Sequence, residues 1–478
     1  MKVVHGDNIE VLKTYPDNYF DSIVTDPPYG LGKEPNPNEL LKDWIEKGYH
    51  EIQGKGFMGK EWDAFVPQPN FWKEVFRVLK PGGHVLAFYG TRTYDWGVMA
   101  MRFAGFEVRD CIQWLYGSGF PKSHNISKAI DKLNGAESIK GNLKFKGGTQ
   151  LGVINDDNWK PKDVYEEFAN TEEAKEWDGW GSALKPANEP IVLARKPLEK
   201  GLSIAENVLK WGTGGINIDG SRVAFTDNVN MDARQTTNNL SKVKFFDDDR
   251  NDLDKPIETY KNGGRFPANI ILTHHEDCEC KGTKKVKPSN GSGKASEKGG
   301  GFSKGMFGDG TSDNIGGGFT DADGNETIEN WDCHPDCPIR IMDEQSGISK
   351  SNDSKRNRQT LGSFGMPNDE TPEYNDKGGA SRFFYVAKAS KSERNKGLEN
   401  INIHPTVKPV KLMQYLVRLI TPTNGIVLDP FCGSGTTGVA CKLEKLSFVG
   451  IEQDAEYTKI AEVRIKNTEI DNQQSLFV

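Results

Sequence analysis

The sequence lacks the long apolar segments that membrane insertion requires. None of its hydrophobic runs approaches the ~20 residues of a membrane-spanning helix, and hydrophobic residues make up only 35% of its 478 positions. The first residues also lack the apolar core of a secretory signal peptide. These absences predict a cytoplasmic protein without a membrane partner, and the length predicts two or three domains.

Cysteine is scarce, and most of it is clustered. Seven cysteines are an odd number, which argues against a disulfide framework and for reduced thiols or a metal. Four of them form two close pairs, and thiolates so arranged suit tetrahedral zinc. We predict a structural zinc ion bound by Cys278, Cys280, Cys333 and Cys337. Two alternatives stay open: three thiols with His274 or His275 would serve equally, or the cysteines are free.

The chain also has no excess of positive charge. A formal net charge of −7 excludes a broadly basic surface for nucleic acid. It does not exclude a local one, because a basic footprint needs only a cluster. One such cluster, with no acid among its members, is formed by Lys281, Lys284, Lys285, Lys287 and Lys294.

The stretch Ser22–Gly30 runs from a short apolar strand into two prolines, which cannot continue a strand. Asp26 and the carbonyl of Pro27 then offer two hydrogen-bond acceptors at the strand's carboxyl end, where open α/β sheets bind ligands. The ring of Tyr29 follows. This combination matches the exocyclic amine of a nucleobase. The alternative is an ordinary proline turn whose aspartate caps a helix.

A second stretch, 425–438, runs from an apolar strand through a glycine-rich turn into a helix. Gly433, Gly435 and Gly438 satisfy the pattern G-x-G-x-x-G, and Glu452 ends the next strand, where it can bind ribose hydroxyls. No lysine follows the glycines, so this is not a phosphate-binding P-loop. The pattern predicts a nucleoside cofactor and leaves NAD open.

Together these stretches resemble the DNA amino-methyltransferases, which methylate adenine N6 or cytosine N4 with S-adenosylmethionine. Asp26-Pro27-Pro28-Tyr29 matches the catalytic loop of that family, and 429–435 matches its cofactor loop. The segment 404–409 is similar to one that lines the family's cofactor pocket. The order of these motifs resembles the β group of the family.

The resemblance implies an α/β fold with a doubly wound, mostly parallel sheet. This is the class I S-adenosylmethionine-dependent methyltransferase fold, here circularly permuted, with an inserted irregular target-recognition region. The implied catalytic residues are Asp26, Pro27, Pro28 and Tyr29. The implied cofactor-binding residues are Asp7, Asp26, Thr406, Lys408, Asp429, Phe431, Gly433, Ser434, Gly435, Thr436 and Glu452. Tyr29 and Phe120 would line the base pocket. Asp7 as a helix N-cap and Phe120 as a core residue stay open as alternatives.

The remaining predictions concern one strand, the tail and the division of the chain into six segments. A strand at 185–194 is expected at an edge of the sheet. The tail motif Gln473–Phe477 resembles the peptide by which bacterial replication proteins dock on the sliding clamp. The predicted segments are a catalytic half (1–134), an insertion (135–180), a core strand (181–200), a target-recognition region with the zinc subdomain (201–380), a cofactor-binding half (381–470) and a tail (471–478).

The function expected from the resemblance is methylation of adenine N6 on a flipped base in double-stranded DNA. Adenine is favoured because cytosine N4 enzymes of the family more often carry serine where Asp26 stands. Cytosine N4 methylation is the first alternative. An NAD-dependent oxidoreductase and a catalytically dead DNA-binding protein are the others. The resemblance places the chain in a prokaryote or phage, as part of restriction-modification or as a solitary enzyme.

Overall fold

The computed structural model describes residues 1–30, 32–52, 63–117, 123–145, 164–223, 265–275, 277–286, 326–350, 377–387 and 407–469. Phe120, Thr406 and the tail motif 473–477 lie outside these ranges. The side chain of Cys280 is likewise outside the described part. The predictions made for these four features therefore stay predictions.

The described strands belong to one large sheet and three small two-stranded ones. In chain order they are β1 (Lys2–His5), β2 (Phe20–Thr25), β3 (Leu79–Phe88), β4 (Glu107–Leu115), β5 (Ile139–Phe145), β6 (Val164–Phe168), β7 (Asn188–Arg195), β8 (Ile270–Thr273), β9 (Glu279–Val286), β10 (Glu326–Asp332), β11 (Ser349–Lys350), β12 (Lys377–Gly378), β13 (Tyr385–Ala387), β14 (Ile426–Asp429) and β15 (Ser447–Glu452).

Within the described ranges, nine strands form the large sheet in the order β1-β15-β14-β2-β3-β7-β4-β8-β13. All neighbouring pairs are parallel except the two that β7 makes with β3 and β4. The first strand pairs with the last one, and β2 pairs with β14. The two ends of the chain thus build one continuous sheet, which confirms the predicted permuted α/β fold.

Helices cover both faces of this sheet. The side chains of β2 alternate, so that Ile23 packs into the hydrophobic cluster on one face and Val24 into that on the other. Both are fully buried, and burying an Ile or Val side chain stabilises the fold by about 1.5–3 kcal/mol. The described helices are α1 (Asn8–Lys13), α2 (Pro37–Glu46), α3 (Pro69–Val78), α4 (Tyr94–Phe103), α5 (Ile126–Leu133), α6 (Glu172–Glu176), α7 (Ile204–Trp211), α8 (Pro338–Ser346), α9 (Val410–Ile420), α10 (Thr436–Leu443) and α11 (Ala455–Lys466).

Helices α1 to α4 contribute to one of the two clusters and α9 to α11 to the other. Local sequence fixes several of their ends. Asp454 caps α11 by accepting from the backbone amides of Glu456 and Tyr457. Ser203 and Glu206 form a reciprocal capping box at the start of α7. None of the described helices combines the length and apolar character needed to cross a bilayer.

Two predictions about the sheet are wrong. Strand β7 lies in its interior, between β3 and β4, and not at an edge. Pro190 is tolerated there because it lies near the start of the strand. The second error concerns 201–380, which was assigned wholly to target recognition. Strand β8 from that region pairs in parallel with β4 and so extends the core sheet.

Candidate active site

Four acidic residues that the sequence singled out lie at one edge of the sheet. Strands β1, β2, β14 and β15 are mutually parallel, so their carboxyl ends share that edge. Asp7, Asp26, Asp429 and Glu452 stand at or just after these ends. Ligands of open α/β sheets bind at such an edge. The predicted meeting of the two distant motifs is therefore found in the structure.

A direct hydrogen bond joins the two motifs. The hydroxyl of Thr25, at the end of β2, donates to Oδ1 of Asp429 over 2.7 Å, and both side chains are buried. The Oδ2 atom of the same carboxylate accepts from the hydroxyl of Thr437, at 2.6 Å. Asp429 thus links the loop after β2 to the start of α10, which fixes the spacing between the predicted catalytic and cofactor loops.

Residues 26–30, termed the Asp26 loop, are stabilised by polar side chains from outside it. Oδ1 of Asp63 accepts from the backbone amides of Tyr29 and Gly30, at 3.1 and 3.2 Å. The hydroxyl of Thr93 donates to the carbonyl of Tyr29. Gly30 has a φ of +66°, and a Cβ atom there would lie 2.8 Å from the amide nitrogen of Val66. The loop is therefore held in one shape.

The functional groups of the loop meet two further charged residues in what we term the carboxylate–lysine cluster: Asp26, Tyr29, Glu189 and Lys408. Lys408 Nζ lies 2.6 Å from Asp26 Oδ2 and 3.3 Å from Glu189 Oε2. The hydroxyl of Tyr29 lies 2.9 Å from Asp26 Oδ1 and 2.7 Å from Glu189 Oε2. The two carboxylates thus share one ammonium group and one phenol.

Aromatic rings surround the ammonium group. Lys408 Nζ lies 5.1 Å from the centroid of Phe88, 5.4 Å from that of Tyr29 and 5.9 Å from that of Trp114. The lysine side chain is only 9% exposed. A cation within about 6 Å of ring centroids is attracted by the ring faces. The same pocket therefore suits a cationic group or a flat ring, and Lys408 occupies it here.

Burial sets the protonation states in this cluster. It raises the pKa of Tyr29 well above its ordinary value, and the carboxylates of Asp26 and Glu189 raise it further. Burial alone would lower the pKa of Lys408, but those two carboxylates outweigh it, and the pKa is raised. At neutral pH the phenol keeps its proton and the lysine its charge. Tyr29 is therefore a hydrogen-bond donor or a stacking platform, not a base.

The glycine turn, residues 433–438, has a structural reason for each of its glycines. Gly433 and Gly435 adopt positive φ values of 51° and 80°. A residue with a Cβ atom would be strained in that backbone conformation. A Cβ atom on Gly435 would lie 2.8 Å from that of Ala461 on α11. A Cβ atom on Gly438 would lie 2.4 Å from Cδ1 of Ile465. The turn brings backbone amides to the edge of the sheet while α10 packs closely on α11.

Glu452 lies beside this turn. Its Oε2 accepts from the amide of Gly433 at 2.8 Å and its Oε1 from the amide of Asp454 at 2.9 Å. Burial raises the pKa of its carboxyl group, although these amide bonds oppose the rise. The carboxylate is therefore fixed next to the glycines, where the binding of ribose hydroxyls was predicted.

Several predicted cofactor residues have their side chains engaged in the framework. Ser434 and Thr436 both accept hydrogen bonds from the buried guanidinium of Arg464, at 2.9 and 3.1 Å. The ring of Phe431 packs against that of Phe71. Asp7 is the N-cap of α1 and accepts from the amide of Glu10, as its alternative reading predicted. Cofactor contacts of these residues stay predictions.

The buried carboxyl of Asp429 has an unusual pKa. Burial raises the pKa to about 6, although the bonds from Thr437, Thr25 and the amide of Phe431 oppose the rise. Both oxygens are used within the framework, as described above. Asp429 is therefore placed to position the two loops.

Sequence reasoning missed Glu189, Asp63 and Arg464. Glu189 and Asp63 lie 160 and 34 residues from Tyr29 in the chain, and only the fold brings them to the loop. One signal was present for Glu189, which is a charged residue that comes directly before the apolar run 190–194 of its strand. Arg464 offered none, because a basic residue in the last turn of a helix is common.

Residues 20–463 match the model of the N6/N4 DNA methylase family, described as DNA methylase. This match spans most of the chain, which therefore belongs to the N6/N4 DNA methylase family. The predicted family, fold class and methyl donor, S-adenosylmethionine, are thereby confirmed.

Relatives match over shorter stretches. The type II methyltransferase M2.LlaDCHI of Lactococcus lactis subsp. cremoris is 45% identical over 62 residues, 13% of this chain and 23% of that protein. M.HindIII of Haemophilus influenzae is 25% identical over 234 residues, 45% of this chain and 64% of that protein. These matches span less than two thirds of the relatives' own length. The solved cytosine-N4-specific PvuII DNA methyltransferase is 12% identical, with 99% of this chain and 90% of that one covered and a TM-score of 0.37.

Proposed function

We propose that this chain is a DNA methyltransferase that transfers a methyl group to adenine N6 of a flipped base at a specific site in double-stranded DNA. One observation carries the proposal. The carboxylate of Asp26 stands at the carboxyl end of β2, one residue after the threonine that is bonded to Asp429 beside the glycine turn. A base acceptor and a cofactor turn thus adjoin on one sheet edge.

The chemistry requires acceptors on the amine. The lone pair of an exocyclic amine is delocalised into the base, so the nitrogen is a weak nucleophile. A carboxylate oxygen of Asp26 and the carbonyl of Pro27 would accept its two N–H bonds and localise that lone pair for attack. The ring of Tyr29 would stack on the base, a contact worth about 1–3 kcal/mol. S-adenosylmethionine supplies the methyl group when it is bound.

Lys408 has to yield part of its present position for this. Both oxygens of Asp26 are occupied, Oδ1 by the hydroxyl of Tyr29 and Oδ2 by the ammonium group of Lys408, and we infer that the entering amine displaces the ammonium. Glu189 also lies within ion-pair distance, at 3.3 Å. The ammonium can therefore move toward Glu189 and still be paired when the base enters. The cluster would thus exchange one donor for another without leaving a buried charge unpaired.

Adenine is favoured over cytosine by the residue at position 26. The resemblance on which the proposal rests places aspartate more often in adenine N6 enzymes and serine more often in cytosine N4 enzymes. Both bases present the same amine to the same acceptors, so cytosine N4 is the second candidate. The glycine turn with Glu452 supports the nucleoside part of the cofactor in either case.

Expression in a host without DNA methylation tests the proposal. Nucleoside mass spectrometry of the host DNA should detect N6-methyladenine, and modification-sensitive sequencing should find it at one recurring site. The Asp26→Ala variant should lose the modification and keep its affinity for S-adenosylmethionine. The Asp17→Ala variant, whose acid is 68% exposed and outside the site, should behave as the wild type. Detection of N4-methylcytosine without N6-methyladenine would show that the target base is cytosine. Binding of NAD and not of S-adenosylmethionine would overturn the proposal.

A further inference from the structure

Two chain segments far apart in the sequence meet beside strand β8. The first, 274–278, follows directly after β8 and leads into β9. The second, 333–337, follows directly after β10 and ends at Cys337, the N-cap of α8. Strands β9 and β10 pair as an antiparallel ladder, with Glu279 opposite Asp332 at its end. Both segments thus emerge from the same end of one hairpin.

The two segments share a five-residue pattern. His274-His275-Glu276-Asp277-Cys278 and Cys333-His334-Pro335-Asp336-Cys337 both read as His or Cys, then His, any residue, Asp and Cys. The two segments also share one backbone hydrogen bond. The amide of the last cysteine donates to the carbonyl of the second residue, at 3.0 Å in the first segment and 2.9 Å in the other. The second histidines stack, with ring centroids 4.4 Å apart. The two segments are therefore two copies of one unit, alike in residue types and in this hydrogen bond.

The outer residues of the two units converge. The ligand atoms of His274, Cys278, Cys333 and Cys337 all lie within 4.8 Å of one another. Nδ1 of His274 is 3.4 Å from Sγ of Cys333 and 3.6 Å from Sγ of Cys337. Around a tetrahedral zinc ion, ordinary zinc–nitrogen and zinc–sulfur bonds place the two ligand atoms about 3.6 Å apart. The spacing of the side chains therefore fits the ion.

The surroundings are those of a closed structural site. His274, Cys278 and Cys337 are buried, and the ring of His274 stacks on Trp331. The amide of His334 donates to Sγ of Cys278 at 3.3 Å. Four ligands complete a tetrahedral shell and leave no open position for a substrate. We propose that His274, Cys278, Cys333 and Cys337, which we term the cysteine–histidine cluster, bind one structural zinc ion.

This assignment changes the predicted ligand set. Cys280 was the expected fourth thiol, and it lies in β9 opposite Trp331. His274, one of the two histidines left open in the sequence, completes the shell with the three remaining thiols. The ion would join the end of the β9–β10 hairpin and the start of α8 to β8. Because β8 pairs with β4, the ion would fasten this region to the core sheet.

The metal content of the full chain tests the assignment directly. Protein purified without chelators should contain about one zinc ion per chain by elemental mass spectrometry. His274→Ala and Cys333→Ser should each lower that content at least several-fold. Cys280→Ser is the matched control within the same region, and Cys111→Ser is a control on strand β4. Both should keep the wild-type zinc content. Loss of zinc in Cys280→Ser but not in His274→Ala would overturn the assignment.

A second measurement begins with the wild-type protein, so its first readout does not depend on whether a variant folds. Wild-type protein exchanged with Co²⁺ should show the strong visible absorption of tetrahedral cobalt and a thiolate-to-cobalt charge-transfer band. The His274→Cys variant should keep the metal and increase that band by about one third, because four thiolates replace three. Absence of any bound metal, or a disulfide between two of the three thiols detected by mass after alkylation, would overturn the proposal.

Discussion

The Asp26 loop and the glycine turn lie next to each other at one edge of the sheet, but they are stabilised by different means. The loop is held by ionisable and polar side chains, with Asp63 on its amides and Lys408 on its carboxylate. The turn is held by positive φ values and by close contact with α11, where Gly435 meets Ala461. The loop thus depends on ion pairs and hydrogen bonds, and the turn depends on backbone conformation and close packing.

This difference predicts different responses to substitution. A change of charge in the Asp26 loop should alter turnover while leaving the fold intact. An added methyl group in the glycine turn should lower both stability and cofactor affinity. Asp429 is the exception to this division, because it is a buried acid that is bonded to the turn through Thr437 and to the end of β2, just before the loop, through Thr25.

The largest expected effect on the turn follows from Gly435→Ala. The new Cβ would lie 2.8 Å from the Cβ of Ala461, at a φ of +80°. Positive-φ strain and overpacking together should lower the free energy of unfolding by about 4 kcal/mol. Affinity for S-adenosylmethionine should fall with it. Denaturant unfolding and titration calorimetry measure the two quantities.

Gly135 supplies the matched control. It has a φ of +70°, and a Cβ there would meet nothing within 4 Å. Gly135→Ala should therefore cost only the backbone strain, about 1 kcal/mol, and leave cofactor affinity unchanged. Equal losses of unfolding free energy in Gly435→Ala and Gly135→Ala would show that the turn does not depend on close packing against α11.

The next effect concerns the pH dependence of stability. The pKa of Asp429 is raised to about 6 by burial, above the ordinary value of about 3.9 for an unfolded chain. The folded state therefore binds the proton more tightly. The stability that the neutral acid contributes is full below about pH 4 and is lost as the pH rises to about 6. The loss should be at most about 3 kcal/mol.

The Asp429→Asn variant isolates this contribution. The free energy of unfolding of the wild type minus that of the variant should fall between about pH 4 and 6 and stay level above. Burial lowers the pKa of His84 to about 4, and this contributes a slope of opposite sign. The difference between the two proteins removes it, because both contain His84. A difference that rises with pH would contradict the prediction.

A smaller effect is expected from removing the cation of the Asp26 loop. Lys408→Met leaves the carboxylates of Asp26 and Glu189 without the ammonium group that pairs with both of them. The carboxylate of Asp26 is then less firmly positioned, and turnover should fall by about 10- to 100-fold. Lys408→Arg, which keeps the charge, should lose less turnover than Lys408→Met. Wild-type turnover in Lys408→Met would show that the reaction does not depend on this charge.

The sequence was informative where chemistry is contiguous. The Asp26 loop and the glycine turn each carry their groups within a few residues, and their strands are apolar and bounded by prolines and glycines. The position of β7 was not readable, because strand order depends on pairing between distant segments. Strand β8 is a short apolar run of four residues, and such a run does not by itself distinguish a strand from a buried helix segment. Its role emerged only from its pairing with β4.

The candidate site shows the same limit. Asp26, Tyr29 and Lys408 were named from motifs, and the structure brings them together. Glu189 belongs to the same cluster, but nothing near it in the sequence shows that it faces Tyr29. For the thiols, spacing alone left the fourth ligand open between Cys280 and a histidine. That choice needed the geometry of two turns 55 residues apart in the chain.

Removing the hydrogen bond between Thr25 and Asp429 tests whether the Asp26 loop and the glycine turn are independent of each other. Thr25→Val removes the hydroxyl that donates over 2.7 Å and nearly keeps the side-chain volume. Loss of one buried hydrogen bond should lower the free energy of unfolding by about 1–2 kcal/mol. Because the bond sets the spacing between the loop and the turn, turnover and affinity for S-adenosylmethionine should fall together, by several-fold each.

Thr14→Val is the control, since Thr14 is exposed and its hydroxyl bonds only within the first helix region. It should change neither quantity. If Thr25→Val lowered turnover and left cofactor affinity at the wild-type value, the Asp26 loop would be positioned without help from the turn. If both fell in proportion, the bond would couple the two. The Asp26 loop, held by charged and polar side chains, and the glycine turn, held by close packing, would then act as one site through the buried hydroxyl of Thr25.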